Sequence, residues 1–344
     1  MSRAACYELL PPPNDGITAV AFAPSSTELL VSSWDQNVHL YDIGRQDGQG
    51  SLKKSFAHNG PVLDVCYGPS DDVAFSVGLD MQVNRIDLIS GDITVLSKHS
   101  AGARRVVYCP GHSMLVSAAW DSTLHFHDLE NPSSAPLVVS LPGKPHALAA
   151  SPTKLVVALT TKAVLVYDLA SASAALTSGA TSLKCWQERE SSLKYLPRAV
   201  SCMPNDAGFA ISSIEGRVAV EWFENTTEKQ YAFKCHRQPA PDEDVVVAYP
   251  VNALVFHPEY RTFATGGGDG HVALWDAEAK RRMKQYQKFP ENVSALAFSP
   301  DGKYLAIGSC PGFQTGQEDY SGQGSSRVFV RELGDSEAKP KGAK

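Results

Sequence analysis

Three cations placed at strand ends are the residues of this chain best suited to chemistry. Between about Glu190 and Arg237 the sequence reads E-S-S-L-K-Y-L-P-R, then S-S-I-E-G-R-V-A-V-E, then Y-A-F-K-C-H-R. Residues 193–195, 217–222 and 231–234 have the alternating or β-branched character of half-buried strands. Arg217 follows directly on a Glu215-Gly216 turn, Lys234 ends a strand ahead of Cys235-His236, and Arg198 opens one. A planar guanidinium fork beside a compact ammonium suits phosphate oxygens. The alternative for each is a solvated charge at a strand end. In an up-and-down meander, the end of strand four, the start of strand one and the two-to-three turn lie at one end of the sheet. Arg198, Arg217 and Lys234 are therefore expected on one face. Trp34 and Trp120 stand at the same kind of turn in other units and are expected on that face too, as anchors for a partner. Packing between units is the alternative for both.

Other constellations point to structure rather than catalysis. Gly266-Gly267-Gly268-Asp269-Gly270 joins two strands and lacks the following helix and the Gly-Lys-Ser/Thr of a phosphate loop, so it reads as a turn. His125 and His127 alternate on one strand without an identifiable third ligand, which favours packed core histidines over a metal site. Asp35, Asp80, Asp121 and Asp269 occupy equivalent tight turns, where a carboxylate accepts backbone N–H bonds. His58 and Ser76 near Asp80, and His99 and Ser117 near Asp121, form Ser/His/Asp trios. A polar network that fixes a repeating unit would recur in this way and an active site would not. No enzyme and no cofactor are expected.

The elements that must position these residues come as a repeat. The first unit runs through strands at 17–22, 29–33, 38–42 and 53–56. Further units start at about 62, 105, 147, 198, 251 and 293. Spacings of about 40 to 55 residues match WD-repeat propeller blades. Trp275-Asp276 is the signature dipeptide, with Tyr41-Asp42, His127-Asp128 and Tyr167-Asp168 as degenerate versions. Each four-stranded sheet has two apolar faces that only neighbouring sheets can cover. The fold expected is all-β, a seven-bladed propeller over residues 1–333. Its last unit ends on a third strand, so residues 6–10, ahead of Pro11-Pro12-Pro13, are read as the strand that closes the ring. Gly44–Ser51, 311–326 and 239–244 read as loops, and 334–344 as a disordered tail.

Composition sets limits. The chain has 344 residues, 43% of them hydrophobic, and a net charge of −6 with Lys and Arg scattered, which disfavours nonspecific nucleic-acid binding. Its N-terminus lacks the apolar run of a signal peptide, and no stretch approaches the roughly 18 apolar residues of a membrane span. Seven cysteines without a C-x-x-C pair point to free thiols in a reducing compartment. A soluble intracellular protein is expected.

Several strings together carry a resemblance. They are S-S-W-D at Ser32–Asp35, A-W-D at 119–121, R-E-S-S-L-K-Y at 189–195, S-S-I-E-G-R-V-A-V-E at 212–221, Y-A-F-K-C-H-R at 231–237 and Y-P-V-N-A at 249–253. Over nearly its whole length, from Asp15 to about Val330, the chain resembles the spindle-checkpoint WD-repeat family of the Bub series, third member. A related family is that of the nuclear-pore mRNA-export WD-repeat proteins. The resemblance implies a non-enzymatic adaptor, monomeric by itself, nuclear and at the kinetochore in mitosis. Its implied partners are the checkpoint kinase and its relatives, bound through a short peptide motif, and phosphorylated Met-Glu-Leu-Thr repeats of a kinetochore scaffold. Complexes that bind ubiquitin or inhibit the anaphase-promoting complex are implied as well; membrane and nucleic acid are not. By position, Trp34, Trp120 and Arg198 match the partner-peptide site and Arg217 with Lys234 the phosphate site. Leu196-Pro197 replaces the family's usual Gln-Thr pair, and Thr161-Lys162 its usual Gly-Arg. Competing readings are an mRNA-export factor, a ubiquitin-ligase substrate receptor and a bare scaffold. The receptor reading is weakened because Gly44 and Glu278 stand where such receptors carry Arg.

Overall fold

Alternating strands and Asp-led turns fold into seven four-stranded antiparallel sheets arranged as a β-propeller, and a separate two-stranded hairpin. The computed structural model describes residues 6–44, 50–224, 230–240, 245–312 and 325–340. In six blades the strands follow one another in sequence from the axis outward, and the innermost strands of successive blades pack side by side around a closed ring. Blade 1 comprises Ile17–Phe22, Glu28–Ser33, Asn37–Asp42 and Ser51–Ala57. Blade 5 comprises Pro197–Cys202, Gly208–Ser213, Arg217–Trp222 and Tyr231–Lys234. Among the described residues the apolar core divides into seven clusters, one at each seam between blades. That division is the physical reason for the ring, since each sheet buries its two faces only against two neighbours.

The repeated aspartates do what their residue type predicts. Asp35, Asp80, Asp121 and Asp269 each accept the backbone N–H two residues on, at 3.1 Å, from Asn37, Gln82, Thr123 and His271. The intervening residue turns left-handed, with φ between 63° and 77° at Gln36, Met81, Ser122 and Gly270.

Ring closure follows the sequence expectation. Cys6–Glu8 pairs antiparallel with Arg327–Glu332 as the outer strand of blade 7, with Tyr7 opposite Val330. Leu9 donates its N–H to Val328 O and is fully buried at the seam with blade 1, while Tyr7 Oη donates to Ile43 O.

Four expectations need correction. Residues 193–195 are not a strand: they cross from the outer edge of blade 4 to the axis, where no neighbouring strand can pair with them, and Leu193 instead plugs the seam between blades 4 and 5. Blade 4 finds its outer strand at Gln187–Glu190, after an unanticipated helix at Leu169–Thr177 whose first turn is capped by Asp168. The 239–244 stretch is in part ordered. Arg237–Pro239 pairs with Val246–Ala248 as the hairpin between blades 5 and 6, and residues 241–244 lie outside the described residues. The tail is not free from residue 334. Glu337 makes ion pairs with Arg331 (3.1 Å) and Lys284 (3.0 Å), and Ala338 is buried and accepts a hydrogen bond from Thr262 Oγ1. The ends of blades 6 and 7 offer a polar and apolar seat that composition alone does not reveal. The loops expected at 44–51 and 311–326 fall largely on residues 45–49 and 313–324, outside the described residues.

Candidate peptide-binding site

A repeated local irregularity builds the site. Every innermost strand breaks register at its start, between residues 17/19, 62/64, 103/105, 145/147, 197/200, 251/253 and 293/295. A bulge re-aims the residue it leaves unpaired. Here the bulged residues are Thr18, Leu63, Arg104, His146, Arg198, Asn252 and Ser294, and all seven line one cavity of about 740 Å³ at an end of the propeller axis.

A second ring of positions forms its rim. In blades 1 to 6 the residue after the second strand is tied back to the residue before the first strand of its own blade. Trp34 N–H bonds Gly16 O (2.9 Å), Trp120 N–H bonds Gly102 O (3.0 Å) and Ile214 N–H bonds Leu196 O (3.1 Å). The two indoles lie against Gly16 and Gly102: a Cβ on either glycine would meet the ring at 3.4 Å and 3.1 Å. Trp34, Trp120 and Ile214 thereby border the cavity, and Trp34 keeps 41% of its surface exposed. The structure thus brings Trp34, Trp120 and Arg198 together, as the meander argument requires.

The floor is cationic. Arg198 Nη2 donates to Asn252 Oδ1 at 2.9 Å. Beside it stand Arg104 and Arg105, and the carboxylate that answers them is Asp64, 3.6 Å from Arg105 and bonded to Val106 N–H. Burial and the neighbouring Arg105 push the Arg104 guanidinium down to about 9, and its Nε has no hydrogen-bond partner among the described residues. Burial and the same cations push His146 down to about 3, so it adds no charge at neutral pH. Three guanidinium groups crowd a partly desolvated cup in which Asp64 answers only Arg104 and Arg105, an arrangement that stabilises an incoming anion.

Arg217 and Lys234 lie outside this cavity, on the same end of blade 5. They are direct cross-strand partners. Arg217 Nε is 3.2 Å from Glu215 Oε1, and Arg237 donates to Glu215 O at 2.8 Å, so a third cation joins the pair. Gly216, at φ 65°, sits where a Cβ would fall 2.6 Å from Cys235 O, and this close approach holds the turn against the end of the outer strand. Lys234 and Arg237, with His271 and Arg282, also line a cleft of about 220 Å³ toward blade 6. The expectation that all three cations meet therefore divides. Arg198 belongs with the tryptophans, and Arg217 with Lys234 and Arg237.

Sequence reading passed over Arg104, Arg105 and the pairing role of Arg237. A signal existed for Arg104, which holds the same place in its repeat as Arg198. Of the two Ser/His/Asp trios, that of His99 is linked throughout, whereas His58 bonds Ser76 and Phe56 O. His58 Nε2 lies 2.7 Å from Ser76 Oγ, and His99 bridges Ser117 (2.9 Å) and Asp121 (3.2 Å). A fuller version, not anticipated, links Asp269, His236, Thr265 and Trp275 by contacts of 2.8, 2.8 and 2.9 Å. His125 and His127 are buried and share Ser97 Oγ at 3.1 Å each. Among the described residues, no group of three His, Cys, Asp or Glu side chains is disposed to hold a metal.

The WD domain, G-beta repeat, family model matches residues 5–42, 91–128, 245–276 and 283–312. The chain is 41% identical to the mitotic checkpoint protein BUB3.1 of Arabidopsis thaliana, over 99% of this chain and 96% of that protein. It is 36% identical to the mitotic checkpoint protein bub3 of Dictyostelium discoideum, over 95% and 94%. To the mRNA export factor GLE2 of Chaetomium thermophilum it is 31% identical, over 97% and 92%.

Proposed function

The chain belongs to the Bub3 family of mitotic checkpoint WD-repeat proteins, and on that premise we propose that it is a non-enzymatic adaptor with two peptide sites on one face. The axial cavity takes a short acidic peptide motif of a checkpoint kinase or its relatives. Trp34 and Trp120 supply the apolar anchors, and Arg198, with Arg104 and Arg105, receives the carboxylates. Arg217 and Lys234, joined by Arg237, grip a phosphothreonine of a Met-Glu-Leu-Thr repeat on a kinetochore scaffold. The protein then acts in the nucleus and at kinetochores in mitosis. One observation carries this reading: the buried Arg104 Nε without a partner, in a cup where cations outnumber carboxylates and two tryptophans form the rim.

The test is titration of phosphorylated and unphosphorylated Met-Glu-Leu-Thr peptides against wild type, Arg217→Ala and Lys234→Ala. Hydrogen bonds to charged groups contribute about 1.5–3 kcal/mol, so each variant should lose roughly tenfold or more for the phosphopeptide alone. Wild-type affinity should fall with added salt. Equal affinity for the two peptides, or variants that keep the phosphate preference, would overturn the phosphate site. The 31% identity to an mRNA export factor supports a second reading, an adaptor of mRNA export. Pull-down from mitotic extract with and without phosphatase separates the two, since only the first requires phosphate-dependent partners.

A further inference from the structure

The hairpin between blades 5 and 6 has one protected edge and one open edge. Arg237 stands opposite Ala248, Gln238 opposite Val247 and Pro239 opposite Val246. The bonds that bracket it, Ala240 N–H to Val245 O (2.8 Å) and Tyr249 N–H to His236 O (2.9 Å), set the alternation of the ladder. Gln238 and Val247 therefore bond each other, while Val246 and Ala248 direct their N–H and C=O groups away from the hairpin. Among the described residues, those outward groups have no backbone partner. On the opposite edge Pro239 has no N–H to offer, and the side chain of Arg237 reaches across to Glu215 O. The open edge has no proline, charge or bulge to blunt it, and Val245, Val246 and Val247 are 53%, 60% and 38% exposed. An edge of this kind is a template for another strand.

Its position names the occupant. Ala248 and Pro250 line the axial cavity together with Ile214, Trp34, Trp120 and Arg198. Val246 is two residues from Ala248 and shares its face of the ribbon, so the open edge begins at the cavity wall and leads outward from it. We propose that Val245–Ala248 receives, as a third strand, the extended segment of the same acidic peptide that fills the axial cavity. Main-chain bonds to Val246 and Ala248 hold that segment, and its alternate apolar side chains pack on Val246 and Ala248. The proposal rests on the axial reading above and adds a strand-pairing requirement to it: beyond its acidic residues, the partner continues as an extended, proline-free, apolar-alternating run.

The probe is a displayed library of peptides of roughly 14 residues with a fixed Glu-Glu pair, long enough to run from the cavity along the edge at about 3.3 Å per residue. It is selected on the full chain, and the best binder is resynthesised. Val246→Pro removes an outward N–H without touching the hairpin's own bonds, and should weaken binding about tenfold; Val246→Ile should bind as wild type does. Exchange of the Val246 and Ala248 amides should slow at least about tenfold in the complex, while Val247, already bonded to Gln238, should not change. Should Val246→Pro lower the melting temperature, Val246→Lys and the exchange data decide. A binder that is lost in Arg198→Ala but indifferent to both Val246 variants, with Val246 and Ala248 unprotected, overturns the strand and leaves the axial site standing. Failure to select any Arg198-dependent binder overturns both.

Discussion

Replacing Thr265 by valine tests whether the repeated polar network holds a blade in place. Thr265 is fully buried, its Oγ1 2.8 Å from His236 Nε2 and 2.9 Å from Trp275 Nε1, and His236 Nδ1 is 2.8 Å from Asp269 Oδ1. One proton arrangement satisfies all four groups. Trp275 donates to Thr265, Thr265 to His236, and His236 to the carboxylate, which can only accept. Valine keeps the shape and strands two partners, each at about 1–3 kcal/mol. Trp275 is partly open to water, so its share falls at the low end and the sum is about 3 kcal/mol. Unfolding entropy of ~2.1 cal/mol/K per residue gives roughly 0.7 kcal/mol/K for the whole chain, so melting should fall by about 4 °C. Thr265→Ser, which keeps the hydroxyl, should recover most of that loss. Circular dichroism of thermal unfolding measures both variants. If Thr265→Val melts within about 1 °C of wild type, or if serine does no better than valine, the network does not stabilise the blade as argued.

Other outcomes follow from the same structure. Leu9→Ala should destabilise by about 2–5 kcal/mol, because the clasp residue is fully buried at the seam of blades 7 and 1, and deletion of residues 1–10 should lower melting further and promote aggregation; unchanged melting would show that the clasp is dispensable. Burial, with the charge of His125 and His99, pushes His127 down to about 3, so it gains its proton only on unfolding. Stability must therefore fall as pH drops from about 6.5 toward that value, by up to roughly 1.4 kcal/mol per pH unit for this group. Asp64 and Glu221, carboxyls raised by burial, act in the opposite direction, so the informative quantity is the difference between wild type and His127→Phe. The variant should lose less stability between pH 7 and pH 5 in urea titrations, and parallel curves would refute the assignment. Gly216→Ala places a Cβ against Cys235 O at a left-handed residue and should weaken phosphopeptide binding along with stability; affinity equal to wild type would separate Arg217 from that turn.

The blades and their turns were legible in the chain because they rest on short-range physics. Period-two alternation marks strands, an Asp followed by a left-handed residue closes a turn, and a unit without its fourth strand needs a distant one. The pattern 6–10 could be matched to that gap by elimination, and the structure seats it there. The same local logic put Trp34, Trp120 and Arg198 at one end of their blades. It could not tell the axis from the rim. Arg198 turns into the axial cup because its strand bulges there, whereas Arg217, 19 positions on, stays two strands farther out beside Lys234. Arg104 reaches the same cup from blade 3 through the same bulge, across a separation in sequence that no local pattern encodes. Its lone buried Nε, the hairpin edge at Val246 and the docking of residues 334–340 likewise depend on which neighbours the closed ring supplies. Sequence determines what each residue can offer and at which end of its blade; ring closure decides which offers meet, because only seven blades together define an axis.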